Sequence, residues 1–174
     1  MAQRIKRWQL AGFLFVAVAG TLLHFLFDWT KGNVVAGLFS AVNESIWEHM
    51  KLLYFPAVLF SLWEARGWKG RCFWTGKLLG LLAGLLLIPV LFYTYTGALG
   101  IFADWFNVTI FFIAGGVMFA LETWLLQREK PCLPGAWVGI VLLGLLFVLF
   151  TFWTPRIPLF EDPITGTYGY PWGK

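Results

Sequence analysis

The sequence predicts an all-α membrane protein, a bundle of five transmembrane helices. Of its 174 residues, 59% are hydrophobic and only 13% are charged, whereas soluble domains carry about 25% charged residues. A helix that crosses a bilayer needs about 20 mostly apolar residues, and the chain has room for five such segments. This composition excludes a disordered chain, a nucleic-acid-binding domain and an ordinary cytosolic enzyme. It predicts a multi-pass protein of the cytoplasmic membrane whose main partner is the lipid bilayer.

The predicted spans are separated by short loops and form one domain, residues 1–154, followed by an extracytoplasmic tail, 155–174. The spans cover residues 8–27, 45–64, 77–97, 102–127 and 136–154. The first span follows a short basic segment but stays apolar too far to be a cleaved signal peptide. The 28–44 connection contains an apolar stretch, 34–39, which predicts a short helix at the membrane interface.

The apolar run of the second span is too short to cross the bilayer by itself. That run, 52–63, has only 12 residues, about 18 Å of helix against a hydrocarbon core of about 30 Å. The helix must therefore extend back through Trp47, Glu48, His49 and Lys51 if it is to span. We expect that it does, since a four-span arrangement would scatter the basic residues over both sides.

The basic residues predict the orientation of the bundle. With five spans, the N-terminus and the loops at 64–77 and 128–135 share one side. That side holds nine basic residues, Arg4, Lys6, Arg7, Arg66, Lys69, Arg71, Lys77, Arg128 and Lys130, and the other side holds four, Lys31, Lys51, Arg156 and Lys174. The positive-inside rule then places the N-terminus in the cytoplasm and the C-terminus outside. Cys72 and Cys132 both fall on the cytoplasmic side, where a disulfide is not expected.

Glycines predict where helices approach each other closely. Gly76, Gly80 and Gly84 recur every four residues on the third span, and Gly135 and Gly139 do so at the start of the fifth. Small residues at this spacing let helix backbones come together and gain packing contacts. These two faces are candidates for helix packing, either within the chain or with a second copy or a partner in a membrane complex.

Polar residues from distant segments converge on the outer end of the predicted bundle. They are His24 and Asp28 at the end of the first span, Asn43, Glu44, Glu48 and His49 at the start of the second, and Asp104 and Asn107 at the start of the fourth. Ionisable groups at membrane depth are costly and are commonly functional. This convergence is the most informative feature of the sequence.

Two histidines with carboxylates predict a mixed nitrogen and oxygen site for a divalent metal such as zinc, manganese or iron. In this interpretation His24, His49 and Glu44 are ligands, and Glu48 or Asp28 is the general base of a hydrolase acting on a lipid or another interfacial substrate. The spacing matches no established zinc motif, because the adjacent residues Glu48 and His49 point about 100° apart on a helix.

The same residues also have structural interpretations. Ser45 and Glu48 fit a capping box at the start of the second helix, and Lys51 can neutralise Glu48. Asp28 can be a solvated residue just beyond the first helix. Each histidine can simply donate a hydrogen bond to a backbone carbonyl on a neighbouring helix.

Two other functions therefore stay open. In a non-catalytic subunit or assembly factor of a membrane complex, the polar cluster would only hold the helix ends in place. A small transport or channel component would need a polar route from the outer cluster towards Glu122, which lies in the fourth span near the inner side. The structural alternative for Glu122 is an ion pair with Lys77 or Arg128.

The stretch 21–56 contains LHFLFDW and, after a short connection, NESIWEHMKLLYFP. This pattern, together with DPITGTYGYP in the tail, resembles a family of small multi-pass bacterial membrane proteins of unknown function. The resemblance implies that His24, Asp28, Glu44, Glu48 and His49 belong to one unit. It implies no activity, cofactor or partner.

Overall fold

The computed structural model describes residues 2–68, 70, 72–100, 103–128 and 130–171, and its regular structure is helical. The α-helices of the described chain are α1 (Ala2–Trp29), α2 (Val34–Phe39), α3 (Ile46–Ala65), α4 (Phe73–Tyr93), α5 (Asp104–Arg128) and α6 (Ala136–Phe152). A π-helical turn, Thr94–Ala98, prolongs α4, and a 3₁₀ turn, Pro158–Phe160, lies in the tail. The all-α class is confirmed.

The helix boundaries follow from caps that the sequence supplies. The Asn33 side chain accepts hydrogen bonds from the backbone at the start of α2, and the Ser45 hydroxyl accepts one from Glu48 N at the start of α3. As predicted, α3 extends back through Trp47 and Lys51. The apolar stretch 34–39 forms a short helix, as predicted.

The exposed surface of the bundle indicates a membrane protein. Within the described chain, three helices are long and apolar enough to cross a membrane, Ala2–Trp29, Phe73–Ala98 and Trp105–Arg128. On α1 the exposed residues Leu10, Leu14, Val18 and Leu22 recur every four positions. Such a continuous apolar stripe would be unfavourable in water but is suited to lipid. The more polar α3 and the shorter α6 do not meet the same criterion of length and composition.

Glycines bring α4 and α5 close together. A side chain at Gly76 would meet Leu126, one at Gly80 would meet Glu122, and one at Gly84 would meet Met118. The predicted packing face is therefore confirmed, but it is occupied inside the chain. The prediction that this face joins a second copy or a partner is corrected, since α5 already covers it.

The second glycine face is also used within the chain. A side chain at Gly139 of α6 would contact Leu78 of α4, whereas Gly135 has a left-handed backbone and precedes the helix. The contact at Gly139 is therefore made within the chain, whereas Gly135 is exposed.

Described parts of the loops on the predicted cytoplasmic side meet at one end of the bundle. Of the basic residues used for the orientation, Lys69, Arg71 and Lys174 lie outside the described residues. Arg4 donates a hydrogen bond to the carbonyl of Gly67, and Cys72 before α4 is bonded to Cys132 after α5. The expectation that these cysteines stay unpaired is wrong. Because α4 and α5 pack side by side, the two loops lie together, with Cα atoms 4.6 Å apart.

The tail folds back over the other end of the bundle. Phe160 is buried against Trp47, with ring centroids 4.7 Å apart. The Tyr170 hydroxyl donates to Gly32 O at 2.7 Å, and the Asn43 amide donates to Gly169 O at 3.2 Å. The segment is therefore part of the packed structure and covers the end where the predicted polar cluster lies.

Candidate metal site beneath the tail

Three of the predicted site residues come together in space. His24 lies near the end of α1, Glu44 lies in the segment before α3, and His49 lies in the first turn of α3. One ligand atom from each lies within 4.8 Å of the others. His24 Nε2 is 3.9 Å from Glu44 Oε1, and His49 Nε2 is 3.4 Å from Glu44 Oε2. The His24, Glu44 and His49 side chains are hereafter called the outer cluster.

The hydrogen bond of His49 determines which of its nitrogens can bind a cation. His49 Nδ1 lies 2.9 Å from Ser45 O, and a carbonyl oxygen only accepts, so Nδ1 carries the hydrogen. In a neutral imidazole, Nε2 is then an acceptor that faces the Glu44 carboxylate. Two facing acceptors need a cation between them, either a proton on Nε2 or a metal ion.

His24 faces the same carboxylate with its Nε2 atom, and its other ring nitrogen is unsatisfied among the described residues. In the part of the chain that the structure describes, the buried His24 Nδ1 has no hydrogen-bond partner. The two imidazole rings lie 5.2 Å apart between centroids. A cation between the rings and Glu44 would use lone pairs that the protein itself leaves unmatched.

The ionised form of the Glu44 carboxyl group is the form that binds a metal ion. The hydrogen bond with His49 holds the pKa of the Glu44 carboxyl below its usual value; burial opposes this effect, and the charges of both histidines add to it. Glu44 is consequently a carboxylate at neutral pH. Its side chain stays partly exposed, so solutes can reach the site at this end of the bundle.

Two cavities adjoin the outer cluster. The larger, about 420 Å³, passes between α1 and α5 and is lined by His24, Glu44 and His49 with Phe25, Val108 and Phe112. These three apolar residues are also exposed at the outside of the bundle. The smaller cavity, about 240 Å³, extends from Glu44 and His49 towards α4. The cluster therefore lies beside an apolar space that borders the lipid-facing surface.

Asn107 faces both cavities and is oriented by Tyr95. The Tyr95 hydroxyl donates to Asn107 Oδ1 at 2.5 Å, which directs the amide nitrogen elsewhere as a donor. Tyr95 is absent from the predicted site residues. The signal that could have identified it is its position at the outer end of the third span, opposite Asn107.

Glu48 is held away from the outer cluster. Its carboxylate lies 2.5 Å from Lys51 Nζ and accepts hydrogen bonds from Val42 N and the Thr151 hydroxyl. Lys51 in turn donates to Thr151 and to Gly37 O. This buried pair joins α2, α3 and α6, and it uses the Glu48 oxygens for structure.

The remaining predicted residues have separate positions. Asp28 is exposed on α1, one turn beyond His24. Asn43 accepts from Ser45 N and donates to Gly169 O, so it connects the start of α3 to the tail. Asp104 opens α5, and its side chain lies outside the described part of the chain.

Glu122 lies at the opposite end, in an ion pair with Lys77 at 2.6 Å. Of its two predicted partners, the structure selects Lys77. Between the two ends, the buried positions of α5 are Ile110, Ala114, Gly115, Met118 and Phe119, and none has a polar side chain. No polar route joins the outer cluster to Glu122 along this described face of α5.

Comparisons with known proteins identify a family but no activity. A family model described as a family of unknown function (DUF6512) matches residues 1–170. No curated protein and no solved structure matches the chain.

Proposed function

We propose that this chain, which belongs to the DUF6512 family, is a five-span membrane protein that binds a divalent metal ion at its outer face through His24, Glu44 and His49. The supporting observation is the convergence of one ligand atom from each residue within 4.8 Å. Two imidazoles and one carboxylate form a ligand set that suits zinc, and also manganese or iron.

The proposed activity is metal-dependent hydrolysis of a lipid or another interfacial substrate. Three protein ligands leave coordination positions for water and substrate. The 420 Å³ cavity offers apolar contacts with Phe25, Val108 and Phe112 for an acyl chain. The Asn107 amide is placed to donate to a substrate oxygen. Asp28 is the proposed general base, since Glu48 is bound to Lys51.

A transport function and a purely structural function receive less support. Transport would require polar groups along the interior, and the buried described residues between the two ends include Leu53, Leu81 and Met118. A structural role for the outer cluster would require its polar groups to satisfy each other. His49 Nε2 and Glu44 do so only when a proton lies between them, and His24 Nδ1 has no partner among the described residues.

The metal assignment is tested by elemental mass spectrometry of protein purified in detergent without added chelator. We expect near-stoichiometric zinc, manganese or iron in the wild type. The variants His24→Ala, His49→Ala and Glu44→Gln each remove one ligand, and we expect at least a tenfold loss of bound metal, because second-shell changes alone cost about 10–100-fold in affinity. The matched control Asp28→Asn should keep its metal.

The outcome separates binding from catalysis. If Asp28→Asn retains the metal but no longer hydrolyses lipid esters, both parts of the proposal are supported. A folded wild type that takes up no zinc, manganese or iron, even when these are supplied, contradicts the metal site. Histidine variants that change only the melting temperature would then favour the accessory role.

The proposed orientation has its own test. Arg4 contacts Gly67 after α3, and Cys72 before α4 is bonded to Cys132 after α5, so these described segments lie at one end of the bundle. The positive-inside rule assigns that end to the cytoplasm, although disulfides are rare in reducing compartments. We expect a tag at the N-terminus to be protected from protease in intact cells and a tag after residue 174 to be cleaved. The reverse pattern would place the outer cluster in the cytoplasm.

A further inference from the structure

A second polar cluster lies buried at the inner end of the bundle. It consists of Gln9 from α1, Glu64 from α3, Lys77 from α4 and Glu122 from α5, hereafter the inner cluster, and each side chain is 2% exposed or less. Lys77 Nζ is 2.6 Å from Glu64 Oε2 and 2.6 Å from Glu122 Oε2. Gln9 donates to Glu64 at 2.8 Å and accepts from Lys77 at 3.3 Å.

The charges in the inner cluster do not balance. Two carboxylates and one ammonium leave a net charge of −1 if all three are ionised. The rings of Phe73 and Phe119 lie 5.5 and 5.7 Å from Lys77 Nζ, and the Lys77 side chain has no exposed surface. An uncompensated charge in such surroundings is strongly unfavourable, and a buried carboxylic acid normally avoids it by remaining protonated.

The other buried ion pair of the molecule provides a comparison. Glu48 and Lys51 are equally buried, but there one carboxylate meets one ammonium. Hydrogen bonds from Val42 N and Thr151 complete the Glu48 shell. That pair is neutral without any further ion, so the unbalanced inner cluster is a distinct feature and not a general property of the bundle.

We propose that the inner cluster is a proton-binding site that holds one proton on a carboxyl group at neutral pH. With this proton the four side chains carry no net charge. When it leaves, a negative charge remains between four packed helices, so the loaded state is the stable one. The site lies on the side of the basic loops, and buried apolar residues such as Leu81 and Met118 separate it from the outer end.

The contacts of the two carboxylates assign the proton to Glu122. Glu64 accepts a hydrogen bond from Gln9 and also forms an ion pair with Lys77 at 2.6 Å, and both contacts favour its ionised form. Among the described residues, Glu122 has its ion pair and hydrogen bond with Lys77 alone, and its side chain packs against Gly80, where there is no β-carbon. Because one partner rather than two stabilises its charge, Glu122 takes the proton.

Infrared spectroscopy of the full chain in lipid tests this charge count. The carbonyl stretch of a protonated carboxyl group is separate from that of a carboxylate and shifts in deuterated water. At neutral pH we expect one protonated carboxyl per chain in the wild type. Glu122→Gln should have none, because the remaining Glu64 then balances Lys77. Lys77→Met should have two, because no cation remains to stabilise either carboxylate.

A matched control uses the same substitution outside the cluster. Glu161 lies in the tail, where it accepts a hydrogen bond from Tyr168, and Glu161→Gln should still show one protonated carboxyl. Absence of the band from the folded wild type would overturn the proposal. A band that is present in choline buffer but lost in sodium buffer would also overturn it, since a sodium ion would then balance the charge. A band that persists unchanged in Glu122→Gln would also overturn it.

Discussion

Replacing Lys51 with methionine is expected to lower the free energy of unfolding by about 3–5 kcal/mol, because it leaves Glu48 buried without its cation. Lys51 has no exposed surface, and it also donates to Thr151 and to Gly37 O. The loss should therefore loosen the contacts that α2 and α6 make with α3. The measurement is unfolding of the detergent-solubilised protein by heat or denaturant, followed by circular dichroism.

The double variant Glu48→Leu with Lys51→Met is the control for this prediction. Replacing a buried ion pair by apolar residues of similar volume is often neutral. The Gly37 carbonyl loses its partner in both variants, and the double variant adds the unmatched Val42 N–H, at about 1–3 kcal/mol. The double variant should therefore be more stable than Lys51→Met alone. Equal destabilisation of both would show that volume, and not the buried charge, controls this position.

Replacing Gly80 with leucine is expected to separate α4 from α5. Even the first carbon of a side chain there would overlap Glu122, which cannot move aside without breaking its 2.6 Å contact with Lys77. Overpacking alone costs about 1–3 kcal/mol, and loss of the ion pair adds to it. We expect a lower melting temperature together with altered infrared bands from the inner cluster.

Gly116→Leu is the matched control, because a β-carbon at this position on α5 meets nothing within 4 Å. It makes the same change in size and hydrophobicity on the neighbouring helix and should leave the melting temperature near that of the wild type. If both variants behave alike, helix propensity or lipid contact would explain the effect, and the proposed close approach at Gly80 would be contradicted.

The composition and the lengths of the apolar runs predict the all-α class and the existence of the long helices. The segment 34–39 and the backward extension of α3 through Trp47 were also predictable, because a capping residue and an apolar run are local signals. The ends of the helices were harder to predict from the sequence. The helix α1 begins at Ala2, within the basic segment, because polar residues can continue the backbone hydrogen bonds beyond the apolar run.

The candidate site was predictable only as a set of residues. The order of helices places His24, Glu44 and His49 at one end, and this follows from counting spans. Whether a side chain turns towards that set depends on rotation about each helix axis, which packing decides. Thus Glu48, one residue before His49, points to Lys51 and Thr151 instead.

The amino-acid sequence predicts a hydrophobic helical chain whose polar residues gather at the two ends of its long helices. The partners of those polar residues depend on how the helices pack: Glu44 lies between two imidazoles, Lys77 lies between two carboxylates, and Cys72 is bonded to Cys132. Hydrophobicity and helix length act locally along the chain, whereas ion pairs and disulfides join residues that are distant in sequence and meet only after the helices pack.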